Sequence, residues 1–214
     1  FTYILLFLVI GTINNKHLNN INFLRIHKIT ITGMDEENNF ELRNKLDFLK
    51  ISNLFFLDKV KINNIINSND LVEKYTIFKK YPSSLQVKIY ETNFLAYVKK
   101  NDDNFFLGSN GKLIKTKDMS KNIPNIFGNF DNKNFFSLKK IIEEIDFKYN
   151  DIKNIFFFKS GRLNIETHSG LLIKLPKDKI KKSLELVIKI LNNDDFKEVN
   201  EIDLRQSNQV IING

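Results

Sequence analysis

The side chains in this sequence that could do chemistry are few and scattered. Its histidines are His17, His27 and His168, and it has no cysteine. Thiol nucleophiles, disulfides and zinc knuckles are therefore excluded. Metal ligation from a helix needs a second His or a carboxylate one turn away on the same face. None of the three histidines has one, and each reads as solvent-facing. The run Gly108-Ser-Asn-Gly-Lys112 looks like a phosphate loop. It lacks the G-x-x-x-x-G-K-[ST] spacing and lies between two strand-like stretches, where a phosphate loop would precede a helix. A G-x-S-x-G nucleophile elbow is absent. The acidic pairs Asp102-Asp103, Glu143-Glu144 and Asp194-Asp195 sit in polar surroundings, where solvated carboxylates are the ordinary outcome. Catalysis by residues brought together only by the fold stays open. On its positive signals the chain reads as a non-enzyme, with no catalytic, cofactor-binding or metal site and no small-molecule substrate.

Backbone groups offer a different kind of chemistry. Residues 200–214 read Asn-Glu-Ile-Asp-Leu-Arg-Gln-Ser-Asn-Gln-Val-Ile-Ile-Asn-Gly. Two apolar stretches, Ile202/Leu204 and Val210/Ile211/Ile212, flank a polar turn at Gln206 to Asn208. That pattern predicts a strand pair with Asp203 and Arg205 on the face opposite Ile202 and Leu204. A strand placed last is often a sheet edge, whose backbone N–H and C=O groups can receive a strand from a partner. Simple closure of a core is the plainer alternative.

The elements that would position this pair fall into two patterns. Arg25 to Thr32 is a strand stopped by Gly33. Asp35-Glu-Glu37 leads an amphipathic stretch with Leu42, Leu46 and Leu49 on one face. Asp58 caps a second helix carrying Ile62, Ile65 and Ile66. Val72 to Lys80 and the alternating Leu85, Val87 and Ile89 are strands, turned at Pro82-Ser-Ser84. Beyond Phe94 short strands dominate. Asn110-Gly111 turns a hairpin of Asn104–Leu107 with Leu113–Lys115. Helices are predicted over Phe135–Ile145 and Lys179–Leu191. Between them, Ile152–Phe158, Arg162–Thr167 and Leu171–Leu175 form an antiparallel meander. The fold class is α+β, with the boundary between the halves at Thr92 to Phe94.

The N-terminal Phe1 to Ile13 is apolar and uncharged, and polar residues follow to Asn20. It reads as the trailing part of a membrane anchor, though a signal-peptide core is about as long. Net charge is +8, but lysine is interleaved with Asp and Glu along the whole chain. A solvated face explains this better than nucleic-acid binding. Heavy use of Asn, Lys and Ile also tracks A/T-rich codons.

Four pieces, in order, resemble the FtsQ/DivIB family of bacterial cell-division proteins. They are Ile29-Thr-Ile-Thr-Gly33; Asn53-Leu-Phe-Phe-Leu-Asp58; Pro82-x-x-Leu-x-Val-x-Ile-x-Glu91; and Ile202-Asp-Leu-Arg205. Thr92 and Phe94 stand where the family usually has Arg and Pro, while Ala96 is retained. The resemblance implies an anchor and linker over residues 1–20, a POTRA domain (β-α-α-β-β) over 24–92, and a mostly antiparallel β domain with two helices over 93–214. It implies a bitopic scaffold of the inner membrane, its bulk in the periplasm at the division septum. The implied partners are FtsB-like and FtsL-like small membrane proteins and other divisome proteins, without cofactor. The implied contact is strand addition at Val210, Ile211 and Ile212, beside Ile202, Leu204 and Arg205, with Arg205 placed to meet a partner carboxylate. Two other readings stand beside this one: a POTRA-bearing assembly or secretion accessory protein, and a secreted binding protein or enzyme with a signal peptide.

Overall fold

The computed structural model describes residues 3–6, 24–145, 147–193, 199–206 and 209–214. They divide into two compact units, Phe1–Asn93 and Phe94–Gly214. Of the predicted anchor only residues 3–6, a helical turn, are described; its remainder, the linker to residue 20 and His17 lie outside the described residues. Among the described residues no helix is long and apolar enough to cross a membrane.

The first unit runs β1 (Lys28–Thr32), α1 (Glu36–Lys45), a 3-10 turn (Asp47–Ile51), α2 (Lys59–Asn67), β2 (Val72–Lys80) and β3 (Ser84–Glu91). Its sheet order is β1-β3-β2, with β1 parallel and β2 antiparallel to β3. Both helices start where a short carboxylate can take an orphan N–H. Asp35 accepts from Asn38 N at 2.9 Å and Asp58 from Lys61 N at 3.0 Å. The stretch carrying Leu42, Leu46 and Leu49 changes pitch after Lys45, where the Leu46 N–H is shared between the carbonyls of Leu42 and Arg43. All three leucines still bury against Leu85, Val87 and Ile89. Gly33 is required where it is: φ is 112°, and a Cβ there would sit 2.0 Å from the Ile89 carbonyl oxygen. The first strand is shorter than predicted. Arg25 makes one isolated bridge to Asn53, and the Ile26 N–H goes to Ser52 O, so the ladder with β3 begins only at Lys28.

The second unit contains β4 (Phe94–Lys100), β5 (Asp103–Gly108), β6 (Leu113–Thr116), β7 (Asn125–Gly128) and α3 (Asn132–Glu144). These are followed by β8 (Ile152–Phe157), β9 (Leu163–Thr167), β10 (Leu172–Leu175), α4 (Ile180–Leu191), β11 (Glu201–Asp203) and β12 (Ile211–Asn213). Among the described residues they form one sheet in the order β12-β11-β10-β9-β8-β7-β4-β5-β6. Three pairings are parallel, β4–β7, β7–β8 and β10–β11, and the last two of these are crossed by α3 and α4. The other five pairings are antiparallel. Register places Ile212, Ile202, Ile173, Ile165, Ile155, Ile126 and Val98 side by side across seven strands. This row faces α3 and α4, which contribute Phe135, Leu138, Ile142, Leu184 and Val187 to the same core. Each fully buried isoleucine contributes on the order of 1.5–3 kcal/mol. The opposite face carries a polar ladder: Asn125 Nδ2 donates to Asn154 Oδ1 at 3.1 Å, and Asn154 Nδ2 to Glu166 Oε2 at 2.9 Å.

Candidate functional site

The strand pair predicted at residues 200–214 is present, and β12 is the outermost strand of the large sheet among the described residues. Ile202 is fully buried on the core face. Leu204 is buried just past the end of β11, and its N–H extends the ladder to Lys174 O at 2.9 Å. Ile212 lies opposite Ile202 and packs partly into the core. Ile211 projects to the other face at 41% exposure, and Val210, just before the strand, is 38% exposed. Of the turn predicted at Gln206 to Asn208, residues 207–208 lie outside the described residues.

Which backbone groups meet the open edge follows from the hydrogen bonds on the inner side. The Leu172 N–H donates to Asn200 O, and the Leu204 N–H donates to Lys174 O, each at 2.9 Å. In a parallel ladder, alternate residues of a strand bond to the same neighbour. Ile202 and Leu204 therefore face β10, and Glu201 and Asp203 face β12; Asn200, just before the strand, turns its carbonyl to β10 while its N–H donates to Asn213 O at 2.9 Å. The register partners of Glu201 and Asp203 are Asn213 and Ile211. Ile202 and Ile212 form the non-bonded pair between them, so the N–H and C=O of Ile212 point away from β11 to the open edge.

Arg205 is engaged within the chain. Its Nε lies 2.9 and 3.0 Å from the two carboxylate oxygens of Asp203, its Nη2 lies 2.5 Å from Oδ2, and its own N–H donates to Oδ1 at 3.0 Å. The hydrogen bond from the Arg205 side chain holds the Asp203 carboxyl below the usual range, against the opposing effect of burial. The same bond raises Arg205. Asp203 is only 8% exposed, so this pair is more than the exposed ion pair that the sequence pattern would allow. Lys174 pairs with Glu201 at 2.5 Å on the same face.

A groove of about 780 Å³ lies ahead of β12, bounded by Gln209 and Val210, by Leu204 and Arg205, and by Arg162, Lys177, Asp178 and Lys182. The segment Lys177 to Lys182 leads into and opens α4. Its meeting with Arg162 and Arg205 depends on a fold that closes more than forty residues of chain and has no local signal. Among the described residues, which exclude His17, no group of three or more His, Asp, Cys or Glu could hold an ion.

Comparison with known proteins decides the family. A family model described as cell division protein FtsQ/DivIB, C-terminal, matches residues 96–205. A model for the FtsQ-type POTRA domain matches residues 24–92. The chain belongs to the FtsQ/DivIB family of cell-division proteins. Among its relatives is the cell division protein DivIB of Clostridium botulinum strain Hall, 26% identical over 164 residues, covering 69% of this chain and 64% of that protein. The DivIB of the Loch Maree strain is 27% identical over the same coverage. The match thus spans less than two thirds of these curated relatives. A solved structure, the major extracytoplasmic domain of the trans isomer of DivIB from Geobacillus stearothermophilus, is 18% identical with a TM-score of 0.37. It covers 49% of this chain and 95% of that one. In FtsQ/DivIB terms, the chain is α+β, with a POTRA domain followed by a β-rich domain. The matched residues end at Arg205, so β12 lies beyond them.

Proposed function

We propose that this chain is a non-enzymatic scaffold of the divisome that holds FtsB-like and FtsL-like small membrane proteins by strand addition to β12. The observation that carries this reading is the open edge. Ile212 offers one N–H and one C=O outward, and the exposed Val210 and Ile211 border them. An incoming strand gains main-chain hydrogen bonds there without displacing any internal pair. The adjoining groove, rich in Lys and Arg, favours a partner segment that carries carboxylates. Arg205 is charge-balanced on Asp203, so that field comes from Arg162, Lys177, Lys179 and Lys182. Membership of a cell-division family supports placement at the septum. The apolar Phe1 to Ile13 supports a single-pass anchor, and membership of the family favours the inner membrane with the bulk of the chain in the periplasm.

Co-purification from membranes tests the reading, comparing the natural chain with Ile212→Pro and Ile211→Ala. Ile212→Pro deletes the outward donor and leaves the β11–β12 bonds intact, and proline is tolerated on an edge. Ile211→Ala keeps every backbone group. The expected result is loss of the small membrane partners with Ile212→Pro alone. Partners retained by a folded Ile212→Pro variant would place the contact elsewhere.

A further inference from the structure

One end of the first unit is built around exposed aromatic and aliphatic side chains that its core does not use. Ile51, Phe55, Phe56 and Tyr81 are each more than half exposed. The Phe55 and Tyr81 rings meet at 5.5 Å between centroids. The segment bearing them is fixed in place. The Leu54 N–H donates to Leu24 O at 2.8 Å, the Ile26 N–H to Ser52 O at 3.2 Å, and Arg25 Nε to Lys50 O at 3.0 Å. Lys79 Nζ reaches Phe55 O at 3.3 Å. Cations border this tip: Arg25 and Lys80 are exposed, and Lys79 is half-buried. Two carboxylates adjoin it, Asp47, paired with Lys50 at 2.9 Å, and Asp58, which caps α2.

The same tip is where the chain enters the unit. Leu24 and Arg25 open the continuous stretch of described residues that builds the sheet and helices, and only residues 14–23 separate them from the apolar Phe1 to Ile13. Ten residues extend at most about 35 Å. A rigid end carrying aromatic rings and cations, tethered that closely to an apolar segment, has the mix of apolar rings and basic side chains that contact with a membrane surface uses. Cations beside the rings complement anionic headgroups. We infer that this end of the first unit lies on an anionic lipid surface, with Phe55, Phe56 and Tyr81 at headgroup level and Arg25, Lys79 and Lys80 against the lipid phosphates. The inference rests on the single-pass reading proposed above.

The sequence contains no tryptophan, so one introduced residue reports alone. Phe56→Trp places it on the tip. Tyr90→Trp places it at the other end of β3, about 20 Å from Ser84 at ~3.3 Å per residue. The full chain carrying either substitution is reconstituted into phosphatidylglycerol–phosphatidylcholine vesicles containing brominated lipid. The expected result is blue-shifted, quenched emission from Trp at position 56 and unquenched emission from Trp at position 90. The position-56 effect should weaken in vesicles of phosphatidylcholine alone. Vesicles that float with the chain while both positions stay unquenched would overturn the membrane face and leave the anchor standing. A blue shift at position 56 that depends on protein concentration without lipid would assign the tip to a second copy of the chain and also overturn it. A chain that fails to float with vesicles would overturn the anchor and, with it, this placement.

Discussion

Proline scanning of β12 gives two neighbouring substitutions opposite signatures, because the two amides point opposite ways. The Ile211 N–H faces Asp203, whereas the Ile212 N–H faces outward. Ile211→Pro strands the Asp203 carbonyl inside the ladder, at a cost of about 1–3 kcal/mol, and pushes a ring into the β11–β12 space. Ile212→Pro loses no internal bond and gives up part of one half-buried side chain, about 1 kcal/mol. The two variants should therefore differ by roughly 1–2 kcal/mol in the stability of the second unit, with Ile211→Pro the weaker, while partner capture fails with Ile212→Pro. Urea unfolding followed by a probe in the second unit measures the difference. Amide hydrogen exchange on the natural chain checks the premise directly: Ile211 and Asn213 protected, Ile212 exchanging fast. A protected Ile212 amide, or Ile212→Pro as the less stable variant, would refute the phase assigned to the ladder.

Other outcomes follow from the same structure. Ile202→Ala should cost about 2–5 kcal/mol, since the residue is fully buried in the seven-strand row, and denaturant unfolding measures it. Gly33→Ala should destabilise the first unit, because the new methyl would meet the Ile89 carbonyl at 2.0 Å in a backbone with φ of 112°; a lowered melting transition for that unit checks it. Asp131 accepts from Asn134 N at 2.8 Å at the start of α3, so Asp131→Ala should cost about 1 kcal/mol in thermal or denaturant unfolding. Asp203 has a folded-state pKa below its unfolded value, so its contribution is fully present above the ordinary carboxylate range and drains away as pH falls through the depressed value. Asp203→Asn should flatten that acid limb in melts recorded against pH.

Elements with a chemical start or an alternating face were legible in the sequence. Asp58 marked α2, Leu85, Val87 and Ile89 marked β3, and Asn110-Gly111 marked the β5–β6 hairpin. Strand β7 was not legible: Asn125-Ile-Phe-Gly128 is too short to show alternation and is fixed by parallel neighbours on both sides. Helix α3 begins at Asn132, earlier than its apolar spacing predicts, because Asp131 rather than Phe135 sets the start. At the site, a strand pair could be read from Ile202 to Ile212. Which amide points outward could not, since that depends on how β10, thirty residues upstream, bonds to β11.

The order of the large sheet has a mechanical consequence. A partner gripping β12 and the first unit joined at β4 would load the domain from two places in one sheet, with six strand pairings in series between them. At ~4.8 Å per pairing that path is about 29 Å long. Pulling across it works against the ladders as a zipper, and the weakest tooth is the β11–β12 pair: β4–β7 pairs fewer residues, but Val98 and Ile126 there are buried, whereas Ile211 and Asn213 of β12 are exposed. Tension would peel β12 off first and release the partner, while the isoleucine row behind it stays shut. The outermost strand is thus a fuse as well as a handle.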